Sequence, residues 1–458
     1  MVGYLRLKER GRRATLIGIG VASVLGLIAA RAATALAGTK TGVALSLLVT
    51  IGPPLLYAAV MAPIVFPLGA YVLLVPLDGL LDTGALGTVT KLLGALTAGA
   101  LLLYMLRCKR AIEPPRASAW WLLLYLWTTA SLFWAIDTQT AEQALPTVLE
   151  LFGLYIVVAM FPITNSGLRS IVNMTIAGSA IAAVYAVYFF HTAAGQAAAA
   201  NSRLFLSTDS GVINPDHLAA AMVLPVALAC IAVIYNRNLL IRLACLASVA
   251  AMLWTVDLSS SRGGAVAVAA AILYLLIRDR HRLVLGTGLG ALVALVLATS
   301  GQSLIQRFAT ASVNGGAGRT DIWHVGLLAF KEHWLFGAGY ANFPFAYDAA
   351  FIRVPELFYT KWHRASHDIV LNTAVELGAI GLLLLICAWG SHFRLLSFVK
   401  PDHHLYPLRL ALEAAIVGLF IAGLFADIMT MKYAWMPFML VVLARNAVLS
   451  ERNAKSNA

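Results

Sequence analysis

The sequence predicts an all-α, polytopic integral membrane protein, and three features lead there. Of its 458 residues, 60% are hydrophobic and only 12% charged, about half the charged share of a soluble globular domain. Apolar runs recur along the whole chain, each long enough to cross a bilayer core of about 30 Å. The runs are continuous rather than alternating, which is the pattern of helices and not of a barrel.

Taken in order, the apolar segments lie near 14–36, 43–60, 62–78, 90–107, 119–136, 145–163, 169–191, 217–235, 240–257, 262–278, 283–299, 372–396, 408–427 and 431–449. Pro53, Pro54, Pro63 and Pro67 blur the second and third, so about twelve and at most fourteen transmembrane helices are expected. The basic run KERGRR followed by 14–36 reads as an uncleaved first span. Three parts follow: a helix bundle over 1–299, an extramembrane segment over 300–370, and closing helices over 371–458.

The net charge of +12 is distributed in short loops such as KERGRR, RCKR and RDRHR. That is the positive-inside pattern of a membrane protein. A nucleic-acid partner would need one exposed basic domain, and the chain has none. The four cysteines, Cys108, Cys230, Cys245 and Cys387, sit in or beside apolar runs and suggest no disulfide framework and no zinc spacing.

If the basic loops face the cytoplasm, parity puts the loop 192–216, the SSSRGG seam at 259–264 and the segment 300–370 together on the other face. In that last segment TDIWHVGLLAFKEHWLF reads as an amphipathic helix with Thr320 as its N-cap, ended by Gly337 and Gly339. The aromatics that follow, Tyr340 to Trp362, suit packing on the membrane surface or a platform for sugar rings or lipid chains.

The SSSRGG seam stands between two apolar runs. An arginine at mid-bilayer costs about 3 kcal/mol on insertion scales, but at a helix start it reaches the interface. Ser259, Ser260 and Ser261 can cap that helix, Gly263 and Gly264 allow close approach, and Arg262 supplies charge. Together they describe an anion site, with a snorkelling anchor as the plain alternative. On the same face lie Arg319 after the glycine-rich NGGAG, Arg203 ahead of NPDH at 214–217, and His367. Ser366 reads as the N-cap that puts His367 in the first turn of a helix, where imidazolium is disfavoured and a neutral base or hydrogen-bond partner results. His324, His333 and His363 read as packing or solvated residues.

No DxD or clustered outward carboxylates suit a divalent cation, and no Walker sequence or GxSxG elbow is present. No metal and no cofactor are therefore expected. Arginines and a histidine at a membrane surface suit a lipid-linked diphosphate whose leaving-group charge is met by guanidiniums.

SSSRGG, GRTDIW, GAGYANF and SHDIVLNTAVELGAIG resemble the signature stretches of the O-antigen ligase superfamily, which also includes Wzy-type polymerases and bacterial protein O-oligosaccharyltransferases. The similarity spans roughly 200–385; the first 190 residues agree only in topology. It implies a GT-C type glycosyltransferase of about twelve spans, in the bacterial inner membrane with its site facing the periplasm. The implied donor is a glycan on undecaprenyl diphosphate, and the implied acceptor for a ligase is lipid A–core. Transfer would be metal-independent and inverting. By motif, Arg262 and Arg319 would bind the diphosphate and His367 would orient or deprotonate the acceptor hydroxyl. Arg203, Ser261, Gly263 and Asn214 would complete substrate binding, although NPD at 214–216 departs from the commoner NPN. A transporter is the alternative of a different class. Its ionisable residues would gather at mid-membrane, whereas Glu150, Glu413 and Asp427 form no recognisable pathway.

Overall fold

The structure, a computed structural model, describes residues 57–82, 87–198, 203–208, 211–281, 315–357 and 361–456, with isolated positions in 52–55 and 283–309. The segments expected at 14–36, 43–51 and most of 283–299 lie outside the described residues. The described chain is helical apart from one short antiparallel pair, β1 (Leu206–Thr208) and β2 (Gly211–Ile213). Its long helices are α1 (Val89–Cys108), α2 (Ala117–Ala130), α3 (Thr138–Met160), α4 (Asn165–Phe190), α5 (Pro215–Ala221), α6 (Val223–Tyr235), α7 (Leu239–Ser259), α8 (Arg262–Arg278), α9 (Gly315–Glu332), α10 (Phe343–Phe351), α11 (Ile369–Leu395), α12 (Tyr406–Gly423) and α13 (Lys432–Ser456).

Among the described residues, 8 helical stretches are long and apolar enough to cross a membrane: α1, α3, α4, the continuous α5–α6, α7, α11, α12 and α13. The chain is a polytopic membrane protein. The number falls short of the twelve to fourteen expected for physical reasons as well as for the undescribed segments. The run 62–78 is not one helix: it is a π turn (Ile64–Gly69), a short α-helix (Ala70–Leu74) and a 3₁₀ turn (Val75–Leu80). Pro67 and Pro76 remove backbone donors there. The run 119–136 supplies only the 14 residues of α2. At 17 residues α8 is one short of that length, yet it packs on α12 and α6 inside the bundle.

Several polar groups buried within the bundle are paired, as a low-dielectric interior favours. The imidazole of His392 donates from Nδ1 to the Ala388 carbonyl at 2.8 Å, leaving Nε2 to accept from the Tyr155 hydroxyl at 2.6 Å. The Tyr155 oxygen in turn meets Ser118 Oγ at 2.8 Å, so α2, α3 and α11 are stitched together. At one end of the bundle buried Glu413 accepts from Arg409 Nε at 2.7 Å and from the Tyr274 hydroxyl at 2.8 Å. The same end carries Arg278, which reaches Glu413 at 4.0 Å, and Arg242, which caps the Val233 carbonyl. It is the basic end.

At the opposite end the turn Gly337–Tyr340 is bolted to a break in α11. Gly378 takes φ +69, a left-handed value inside the helix. The ladder opens there, and its orphaned groups find partners in the turn. Ala338 N donates to Val375 O (2.8 Å) and Gly339 N to Glu376 O (2.9 Å), while Ala379 N donates back to Trp334 O (2.7 Å). The Glu376 carboxylate accepts from Phe343 N at 3.2 Å and so caps α10. Asn342 fastens the same turn to the α2–α3 connection through Asp137 N and O.

A side chain at Gly378 would meet both a left-handed backbone and a Cβ 2.1 Å from the Leu335 carbonyl oxygen. Gly378→Ala is expected to cost about 1–2 kcal/mol from the backbone alone, and more from the clash. Thermal unfolding in detergent reads this directly; an unchanged midpoint refutes the bolt.

Candidate functional site

The seam SSSRGG encodes one helix end and one helix start in three residues. Ser260 takes a left-handed conformation (φ 49) and its N–H bonds Asp257 O, which stops α7. Ser259 Oγ donates to Val256 O at 2.6 Å. Ser261 then caps α8, its Oγ accepting from Gly264 N at 3.2 Å. All three serines are buried, and Arg262 emerges at the first position of α8, half-buried. The two glycines serve the packing of α8 rather than an open approach to the backbone. A Cβ on Gly263 would lie 2.4 Å from Phe425 Cβ, and one on Gly264 2.3 Å from Ala219 Cβ. The room that Gly263 leaves is filled by Phe425.

Alongside, α5 begins with Asn214 as N-cap, its Oδ1 accepting from Asp216 N at 2.8 Å, and with Pro215 in the first turn. Asn214 itself is exposed. Asp216 is the counter-charge of the site. Its Oδ1 accepts from Arg203 Nη2 at 2.8 Å, and the Ser261 hydroxyl also donates to it. Arg203 is further held by its Nε, which donates to Ser259 O at 3.1 Å. Leu204 N bonds Leu258 O at 3.0 Å and pins the backbone.

Arg319 does not precede its helix, as expected, but lies inside α9, which begins at Gly315; Thr320 is therefore no N-cap. Its guanidinium stands 5.9 Å from the centre of the Phe425 ring, the same ring that fills the space at Gly263. It lies within electrostatic reach of Asp216, Arg262, Arg203 and Asp368. Burial, reinforced by Arg262 and Arg203 and opposed by Asp216, eases it below the ordinary arginine value; it remains a cation at neutral pH.

His367 is also placed differently from the expectation. The N-cap of α11 is Asp368, whose Oδ1 accepts from Val370 N (2.7 Å) and Leu371 N (2.9 Å). A carboxylate with two lone-pair directions satisfies two helix donors where a hydroxyl satisfies one. His367 therefore stands before the helix, in a left-handed conformation with φ 51, which costs a non-glycine residue about 1–2 kcal/mol. The turn is clamped on both sides. Trp323 Nε1 donates to Ser366 O at 3.2 Å, and Ser366 Oγ meets Asn372 Oδ1 at 3.0 Å. The His367 side chain is solvent-exposed. The protein mass around it, then Arg319 and Arg364, hold its imidazole below the ordinary histidine range, with Asp216 pulling the other way. Helix position is thus not the cause of its neutrality. Burial likewise holds Asp368 above the ordinary aspartate range, against its two backbone bonds and Arg319.

The structure thus gathers Arg203, Ser261, Arg262, Arg319 and His367 around Asp216, from segments more than a hundred residues apart in the sequence. Two long helices, α8 and α11, point their N-termini here, and arginines exceed carboxylates, so the place favours an anion. Sequence reasoning gave no role to three residues that build it: Asp368, Trp323 and Phe425. Only Trp323, a few positions after an arginine, left a sequence signal. The one group of His, Cys, Asp and Glu able to hold a metal among the described residues, His403, His404 and Glu451, is elsewhere, between the α11–α12 connection and the end of α13.

A bundle of helices long and apolar enough to span a membrane, with a cluster of arginines at the ends of three of them, defines a polytopic membrane protein. Residues 247–386 match the family model described as O-antigen ligase, so this stretch of the chain is similar to that family. The matched stretch contains Arg262, Arg319 and His367; Arg203, Asn214 and Asp216 precede it. No curated protein matches the chain in a sequence search.

Because nearby cations depress the imidazole, removing one raises it. The rate of His367 acylation by diethyl pyrocarbonate, taken as the difference from His367→Ala, is expected to follow a midpoint below about 6.5, the free histidine value. In Arg319→Ala the midpoint moves upward. A midpoint indifferent to Arg319 would separate the two groups.

Proposed function

We propose that the chain is an O-antigen ligase. In this reading it is a metal-independent, inverting glycosyltransferase that moves O-antigen glycan from undecaprenyl diphosphate to a sugar hydroxyl of lipid A–core. The observation that carries the reading is the gathering of Arg203, Arg262 and Arg319 at helix N-termini beside a neutral, solvent-reachable His367. The family match supports the same class of chemistry. By the positive-inside rule the end bearing Arg242, Arg278 and Arg409 is cytoplasmic, which puts the cluster on the periplasmic face of the bacterial inner membrane. Residues 1–299 and 371–458 then form the spanning body, and 300–370 is the outer segment that brings Arg319 and His367 to it.

Each group has a chemical task. The acceptor oxygen attacks the anomeric carbon from the side opposite the diphosphate. As that bond forms, the bond from the anomeric carbon to the diphosphate oxygen breaks, and its electron pair leaves with the phosphate. Arg262 and Arg319 meet the charge that develops there, in a setting already organised by Asp216 and Phe425. The acceptor proton passes to the His367 imidazole. Arg203, Ser261 and Asn214 steady the bound donor, and Gly263 lets Phe425 pack beside them. The donor carries its own driving force, so neither nucleotide nor metal enters.

Transfer by the purified protein, given lipid-linked glycan and lipid A–core, is expected to fall by about 10²–10³-fold in Arg262→Ala and Arg319→Ala. The loss in His367→Ala is expected to be about 10²–10⁴-fold. Added chelator leaves the rate unchanged. Ordinary ligation by all three variants would falsify the assignment. A deletion strain decides among relatives: polymer left on its carrier with bare core marks a ligase, single-repeat lipopolysaccharide marks a polymerase, and intact lipopolysaccharide with unglycosylated proteins marks a protein-modifying transferase.

A further inference from the structure

Asn214 and His217, on either side of Asp216 in the chain, line a cavity of about 190 Å³. Pro76, Ile213 and Leu218 give it an apolar side; Lys432, Tyr433 and His217 give it a polar one. Its walls are fixed. Lys432 Nζ donates to both oxygens of Asp78 (3.0 and 2.9 Å) and to Thr88 Oγ1 (3.0 Å). That ammonium is fully committed, and it locks the start of α13 to the broken segment 64–80.

The His217 imidazole retains bonding capacity. Its Nδ1 lies 2.9 Å from the Tyr433 hydroxyl. Among the described residues that hydroxyl has no other acceptor, and in the tautomer that lets it donate to Nδ1 the ring proton sits on Nε2. Nε2 has no hydrogen-bond partner among the described residues. His217 follows Asp216 directly in the chain, and it lies within electrostatic reach of His367. Through His217 the cavity is linked to the counter-charge of the anion cluster and to the imidazole assigned to the acceptor.

We propose that this cavity is the glycosyl subsite of the donor, seating the sugar bonded directly to the diphosphate, with His217 Nε2 donating to one of its hydroxyls. The inference rests on the transferase reading above. A pyranose has an apolar C–H face and a polar rim, and the cavity has one wall of each kind. A diphosphate held by Arg203, Arg262 and Arg319 carries its sugar one bond away, and the cavity begins at the residue next to the counter-ion of those arginines. A polyprenyl chain fits worse, because it would desolvate an imidazole and an ion pair without compensation. A hydroxyl-recognising donor makes the site selective for the donor's first sugar, because an analogue lacking that hydroxyl leaves a buried N–H unpaired.

The test uses the full chain in nanodiscs and calorimetric titration with three probes: a short prenyl diphosphate, and the same compound bearing glucose or N-acetylglucosamine. The wild type is expected to bind at least one sugar-bearing probe about tenfold more tightly than the bare one. His217→Ala abolishes that difference and leaves bare prenyl diphosphate binding unchanged. His217→Gln, whose amide nitrogen falls near the position of Nε2, keeps most of it and shows that the fold tolerates the change. Tyr433→Phe, which leaves the tautomer unfixed, reduces it. Equal binding of all three probes by the wild type, or a difference that survives His217→Ala, overturns the subsite. Arg319→Ala with undiminished binding of the bare probe instead removes the anion site, and with it the transferase reading.

Discussion

The site depends on one carboxylate. Asp216 lies against Arg203 and Ser261 and within reach of Arg319 and His367. Three guanidiniums on one membrane face repel one another, and in a partly buried setting water cannot screen that repulsion well. A counter-ion on the first turn of α5 lets the arginines approach one another, with Arg203 paired to it directly. Arg319 rests on an aromatic face instead, and so keeps its donors for an incoming anion. An aspartate at the start of a helix is also stable for its own reasons, because it complements the helix dipole. The same residue thus serves the helix and the cluster.

The cluster also needs its parts held at fixed distances, although they come from remote stretches of chain. Two devices supply this. The left-handed stop at Ser260 followed at once by the Ser261 cap fixes Arg262 relative to Arg203, whose Nε is bound to the carbonyl of Ser259. The break at Gly378 opens the carbonyls of α11 to the Gly337–Tyr340 turn, which follows α9 and therefore sets where Arg319 stands. Trp323, one turn after Arg319, then holds the Ser366 carbonyl beside His367. Arg319 and His367 are positioned by a single mechanical unit, α9 plus the head of α11.

Most of the fold was legible in the sequence because lipid imposes a simple rule: long apolar runs become helices. The segments read near 90–107, 145–163, 169–191, 217–235, 240–257, 262–278, 372–396, 408–427 and 431–449 all appear as helical stretches, with ends displaced by two turns at most. Failures occurred where hydropathy stays high but backbone donors are missing, as around Pro67 and Pro76. Helix starts were misread where two caps compete. Ser366 and Asp368 are both good N-caps by type, and only the bidentate fit of Asp368 to two N–H groups separates them. The candidate residues were legible through their clustering on one face. Phe425 and His217 were not, since an aromatic at a span end and a histidine beside NPD carry no pattern until their neighbours in space are known.

The cationic field and the neutral imidazole are two consequences of one arrangement, and this bears on the order of events. Free, the site holds His367 below its usual range partly because Arg319 and Arg364 face it. A bound diphosphate brings negative charge into the same space and cancels part of that field. The imidazole should then become more basic once the donor is in place, which is when a proton acceptor is useful in the ligase reading. Before donor binding a weakly basic, neutral histidine adds no further positive charge to an already crowded face. The coupling is reciprocal: protonating His367 should strengthen diphosphate binding, so affinity rises as pH falls through the histidine midpoint. Titrating pyrophosphate into the protein across the range of about pH 5–8, with His367→Ala as the reference, measures this. Affinity that ignores pH, or that depends on it equally without the histidine, would mean that the two groups share a surface but not a field.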